Sequence, residues 1–130
     1  MTHPSVIEQI GGAEAVRALT ERFYDLVETL PEGEQILRLH LRGHGMAHVR
    51  QAQFDFLHGF FGGRRLYNET HGPMNLRDIH AHVPIRSQDA KDWLSCMQIA
   101  LDDTGIDPAI GAQIMVTFTR AAQMLINQAP

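Results

Sequence analysis

The chain has 130 residues, 44% of them hydrophobic and 20% charged, with a formal net charge of −4; this is the make-up of one ordinary globular domain, large enough to bury about two thirds of its unfolded surface. The basic residues are scattered, which leaves no electrostatic footprint for nucleic acid or an anionic membrane surface, and no apolar run approaches the length of a bilayer span. The opening MTHPSVIEQIGG lacks the basic start and apolar middle of a signal peptide, and a single cysteine, Cys96, excludes an internal disulfide, so a cytoplasmic protein is expected.

Ser5-Val6-Ile7-Glu8 reads as a capping box opening a short helix that Gly11-Gly12 ends. Over residues 13–30, Val16, Leu19, Phe23, Leu26, Val27 and Leu30 recur at helical spacing, and Pro31 and Gly33 break that helix. A short turn of helix is expected over 34–39, followed by the glycine-interrupted HLRGHG. A second long helix is expected over 46–61, with Val49, Phe56, Leu57 and Phe60 on one face and Gly62-Gly63 as its stop. Residues 64–74 show no period and read as a loop. One or two helical turns follow at 76–80, and Pro84 disfavours helical backbone at Val83.

Ser87 is placed to cap a third long helix over 87–104, carrying Trp93, Leu94, Met97, Ala100 and Leu101 and closed by Gly105. Asp107-Pro108 is a cap followed by proline at the first helical position. It opens a final helix with Ile110, Ile114, Phe118, Ala121 and Leu125 inward. No segment alternates as a strand would. The expectation is one all-α domain, 1–130, of four long helices and short connectors, its six methionines mainly filling the core.

Several polar residues stand on or beside faces that should be buried: Tyr24 after Phe23, Gln53 on the Val49–Leu57–Phe60 stripe, Trp93 on the third long helix, and His40 after the Pro31 turn. Each carries a donor, and burying a donor without a partner costs about 1–3 kcal/mol. Singly, each is ordinarily satisfied by a nearby carbonyl or water. Together they resemble the polar points of a small-ligand pocket, although periodicity alone does not bring them to one place.

Eight histidines are the compositional oddity. His80, in NLRDIHAHVPI, has three readings: a cap on helix C-terminal carbonyls, a metal site shared with His82, or the axial ligand of a haem. His40, His44 and His48 mimic helical ligand spacing, but Gly43 and Gly45 argue against a continuous helix there, so His44 and His48 read as solvent-facing. Cys96 reads as a small core residue, and Arg64-Arg65 as a solvated loop.

The stretches IGGAEAV, RFYDLV, FFGGRRLY, LRDIHAHVPI and AKDWLSCMQIALDDTGI, in that order and spacing, resemble a truncated haemoglobin of the second, O-type group. The likeness runs from about Val6 to Ile106. It implies a two-over-two helical sandwich around haem b, with His80, not His82, as the proximal iron ligand. Its other ring nitrogen would donate to a backbone carbonyl and so fix the tautomer. The resemblance also implies a haem-propionate partner at Arg77 and haem contacts at Phe56, Tyr67, Ile79, Val83 and Trp93, with His71 a weaker candidate at the haem edge. On the distal side it implies Tyr24, Trp93, His40, Gln53 and Val49.

Two of these positions depart from the family pattern: Gln53 stands where an apolar residue is usual, and Ile79 where a basic one is frequent. His40 stands where most members have an aromatic residue. Val49 occupies the place of the distal histidine of ordinary globins and cannot donate.

The chemistry implied is reversible binding of O2, and of CO or NO, at ferrous iron. Tyr24, Trp93, Gln53 and His40 would supply donors that slow oxygen release. His40 or Tyr24 could instead ligate the iron in the ligand-free state. Two other classes stay open. One is nitric-oxide dioxygenase or peroxidase chemistry fed by an external reductase, since 130 residues leave no room for a reductase domain. The other is a haem-free helical interaction or sensor protein. Monomer and homodimer are both compatible with the sequence.

Overall fold

The computed structural model describes residues 5–36, 46–64, 66, 69 and 84–128, the side chains of residues 46–48 excepted. Helix α1, Val6–Ile10, is brief and is closed by Gly11. Ser5 is its N-cap, but the expected capping box does not form. The amide of Ile7 instead donates to the Phe61 carbonyl at 2.8 Å, so a carbonyl distant in sequence satisfies a first-turn donor that a cap would otherwise serve.

Helix α2, Ala13–Thr29, buries Val16, Leu19, Phe23, Tyr24, Leu26 and Val27, the apolar stripe the spacing anticipates. Leu30 leaves the helix in extended backbone, and Pro31–Gly33 makes a 3₁₀ turn. Gly33 is required by close approach: a Cβ there would lie inside the Val27 backbone. Residues 34–36 are helical; the rest of the turn expected over 34–39, and the HLRGHG stretch, lie outside the described residues.

Helix α3, Met46–Phe60, ends one residue earlier than expected, and Gly62 turns the chain at φ +94°, a left-handed conformation that favours glycine. Leu57 is buried, while Val49, Phe56 and Phe60 pack on the core from its edge. The loop expected over 64–74 is corrected at its two described interior positions, Leu66 and Glu69, which have helical backbone. Arg64 is solvent-exposed as expected and pairs with Glu69 at 2.8 Å. The turns expected at 76–80, and the backbone of Val83, lie outside the described residues.

Helix α4, Ser87–Asp103, starts at its expected cap rather than after it. Ser87 is the first helical residue, not the N-cap. Arg86 holds that position, and its amide donates to the Asp89 carboxylate at 2.9 Å. A carboxylate in the first turn is thereby bonded and set favourably against the helix dipole. Helix α5, Pro108–Leu125, begins as expected, with Asp107 accepting from the amides of Ala109 and Ile110. Its C-terminal tail returns to the start of α4: the Ile85 amide donates to the Asn127 side chain at 2.8 Å, and the Asn127 amide to the Ile85 carbonyl at 3.0 Å.

Helix α2 packs on α3 and α4, α4 packs on α5, and the 3₁₀ turn closes over α2 and α4. Phe23, Leu19, Leu57, Met97, Leu101 and Val27 are among the largest fully buried side chains, each stabilising by about 1.5–3 kcal/mol. Met97 fills the core as expected, but Met124 is 56% exposed and does not. The described elements are all helical, and no helix among the described residues is long and apolar enough to cross a membrane.

Candidate functional site

Tyr24 follows Phe23 on α2 and is fully buried with it. Burial holds the Tyr24 phenol protonated, well above its ordinary range, against a smaller opposing pull from the Arg50 charge. At neutral pH the hydroxyl is therefore a donor. It donates to Oε1 of Gln53 on α3 at 3.3 Å. That is longer than the about 2.5–3.0 Å of a strong hydroxyl hydrogen bond. With Oε1 engaged, the amide nitrogen is the end of Gln53 that can donate elsewhere.

Trp93 joins this pair through Phe23. The Phe23 ring meets Tyr24 edge-on, centroids 4.9 Å apart, and lies 5.1 Å from Trp93. Beyond Trp93 the rings continue: Phe118 of α5 meets it edge-on at 5.1 Å and stacks on Phe60 of α3 at 4.9 Å, and Phe56 lies 5.5 Å from Phe60. Such offset and edge-on pairs add about 0.5–1.5 kcal/mol each beyond their area.

The helices thus bring Tyr24 and Gln53 into direct contact, and Phe23 bridges Tyr24 to Trp93. Phe56 reaches the group through Phe60, and Val49 lies one turn before Gln53, half-buried. Polar points among apolar and aromatic walls suit a small ligand with a polar end.

Sequence reasoning missed Arg50. Its side chain, 16% exposed, donates to the Glu21 carboxylate at 2.7 Å, the Glu21 carbonyl at 3.1 Å, Asp25 at 3.0 Å and Glu28 at 3.2 Å. Burial works against the Arg50 charge, but the hydrogen bonds it donates to Asp25 and Glu21, and the Glu21 and Glu28 charges, outweigh it and strengthen its hold on the proton. The one available signal was Glu21, Asp25 and Glu28 along a single edge of α2. Cys96 is fully buried, and burial first, then the Glu32 and Asp92 carboxylates, push its thiol up to about 11. It is unreactive at neutral pH, in keeping with a core role.

His80, His82, Arg77, Ile79, Val83, Tyr67, His71, His40 and His44, and the side chain of His48, lie outside the described residues.

The family described as bacterial-like globin matches residues 5–127. A group 2 truncated haemoglobin of Bacillus subtilis, YjbI, is 32% identical over 117 residues, covering 90% of this chain and 85% of that one. The group II 2-on-2 haemoglobin of Agrobacterium tumefaciens superposes with a TM-score of 0.91 at 33% identity, over 99% of this chain and 98% of that one. A structure described as a truncated oxygen-avid haemoglobin from Bacillus subtilis superposes with a TM-score of 0.83 at 30% identity, over 95% of this chain and all of that one. With two helical pairs packed on each other, a buried tyrosine bonded to a half-buried glutamine, and a half-buried tryptophan joined to that tyrosine through Phe23, the chain belongs to the bacterial-like globins and, among these, to the group II truncated haemoglobins with the two-on-two helical fold.

Proposed function

We propose that the protein binds haem b through His80 and holds O2 reversibly, and CO and NO at the same place, with a polar distal side that slows oxygen release. Membership of the globin family implies a haem and haem-based ligand binding in general; the proposal adds the axial residue, the haem type and the preference for oxygen. Haem supplies a ferrous iron that binds diatomic ligands. The donor set fits that group: a flat apolar macrocycle suits walls of phenylalanine, and a polarised diatomic suits a buried hydroxyl beside a half-buried amide and indole.

The observation that carries the reading is the buried Tyr24 hydroxyl, protonated and donating to Gln53 at 3.3 Å. A protonated hydroxyl, the Gln53 amide and the Trp93 indole all carry hydrogens that can be donated to a bound ligand. Hydrogen bonds to charged groups contribute about 1.5–3 kcal/mol, and 1.4 kcal/mol is a factor of ten in affinity. Carbon monoxide, less polarised, gains less. The relative described as oxygen-avid agrees in direction.

The test is absorption spectroscopy of the protein with one equivalent of haem, ferric, ferrous and under carbon monoxide, beside His80→Ala, followed by oxygen-dissociation kinetics. The expected result is a haem spectrum grossly altered by His80→Ala, with oxygen leaving at least about tenfold faster from Tyr24→Phe/Gln53→Leu than from wild type. An unchanged spectrum overturns the choice of His80. Release equally fast in both proteins overturns the polar distal side.

A further inference from the structure

We propose that Arg50 is a positioning residue for the distal site: its grip on the acidic edge of α2 sets the register of α3, and so decides whether Gln53 reaches the Tyr24 hydroxyl. The inference rests on the reading of Tyr24 and Gln53 as ligand-facing residues. Arg50 and Gln53 lie one turn apart on α3. The three carboxylates that hold Arg50 come from positions 21, 25 and 28, which bracket Tyr24 on α2. The guanidinium carbon lies 5.9 Å from the Tyr24 ring centroid. The clamp therefore acts at the level of the hydroxyl it serves.

Distance sensitivity makes the clamp matter. The Tyr24–Gln53 contact is 3.3 Å, and a separation near 3.6 Å is no longer a hydrogen bond. A slide of α3 along α2 by a few tenths of an ångström is enough to undo it. Apolar packing resists such a slide weakly, because dispersion changes little over that distance, whereas a forked cation bonded to four oxygens at 2.7–3.2 Å resists it strongly. A neighbouring tie one turn earlier on α2, Arg17 donating to Gln51 at 3.0 Å and lying 3.8 Å from the Phe54 ring centroid, bears on the same interface through one exposed hydrogen bond, where Arg50 makes four. Lysine, a point donor on a flexible stem, cannot span three carboxylates as the planar fork does.

Two readouts test this. In the haem-loaded protein, oxygen dissociation is measured for wild type, Arg50→Met, Gln53→Leu and the double variant. Arg50→Met is expected to speed release about fivefold, Arg50→Lys to recover part of that, and Arg50→Met to add almost nothing once Gln53→Leu is present. In the haem-free protein on a Tyr67→Phe background, Tyr24 is the sole tyrosine. The ultraviolet Raman doublet of its ring is expected to show a weaker donor in Arg50→Met than in Arg50. If Arg50→Met does not fold, Asp25→Asn/Glu28→Gln is read in its place. Unchanged or slower release, full additivity with Gln53→Leu, or an unchanged doublet in a folded variant overturns the role of Arg50. Failure to bind haem overturns the proposed function instead, and leaves the Raman comparison to decide Arg50.

Discussion

Between α2 and α3 the contact near the site is polar: one arginine, three carboxylates, and a tyrosine bonded to a glutamine. On the opposite side of the Trp93 indole, α3, α4 and α5 meet through rings, Phe60 on Phe118 and Phe118 on Trp93. The two contacts do different things. Ring packing contributes energy in proportion to area and tolerates small shifts. The polar contact contributes less, because exposed ion pairs are worth about 0.2–1 kcal/mol each and Glu21, Asp25 and Glu28 are 39–53% exposed. It does, however, fix distances. One kind of contact holds the sandwich together, and the other fixes a distance between two of its helices.

Breaking the apolar side should have the largest effect. Phe118 is 3% exposed and touches Phe60, Phe61 and Trp93. Phe118→Ala is expected to destabilise by about 4 kcal/mol, read as a lowered midpoint in chemical denaturation, and to loosen the wall behind the Trp93 indole. A loss under about 1 kcal/mol would show that the ring cluster does not hold the sandwich. A third kind of contact, with no side chain at all, is the 3₁₀ turn against α2. Gly33→Ala drives a methyl into the Val27 backbone, which has no rotamer with which to yield. The expected cost is about 3 kcal/mol, at the upper end of overpacking effects, measured in the same titration.

The same division explains what was legible in the sequence. The four long helices were readable because each carries an apolar stripe at helical spacing, and the stripes are what the core buries. The capping box at Ser5 was misread because a first-turn donor there, the Ile7 amide, is satisfied by the distant Phe61 carbonyl, and a local motif cannot reveal a partner supplied by tertiary structure. At α4 the difference is one residue of register: Asp89, in the first turn, accepts from the Arg86 amide. Tyr24, Gln53 and Trp93 stood out as polar residues on apolar faces. Their convergence did not, since periodicity gives the face of one helix and not the register between two. Arg50 was invisible for the same reason: its meaning depends on which α2 edge lies opposite. His80 came from family resemblance alone; its own periodicity left three readings open.

The polar side should answer to pH where the ring side does not, and the sign follows from burial. The folded Tyr24 phenol is held above its ordinary value, by desolvation first and with Arg50 opposing; the unfolded phenol titrates near 10. Below about pH 10 both states keep the proton, and Tyr24 contributes no pH dependence. Above it the unfolded chain releases the proton and the folded chain does not, so stability should fall by about 1.4 kcal/mol per pH unit from this residue. Cys96, also raised by burial, acts with the same sign from a lower starting pH, so the comparison belongs on a Cys96→Ala background. Denaturant titrations across that range should show the decline, and Tyr24→Phe should flatten it. An equal decline in Tyr24→Phe would mean that the phenol titrates alike in both states and is not sealed from water. Arg50→Met sharpens the result further: removing the cation that opposes the shift raises the upper end of the window and leaves the slope between the two ends unchanged. A steeper slope would mean instead that more than one proton is released on unfolding.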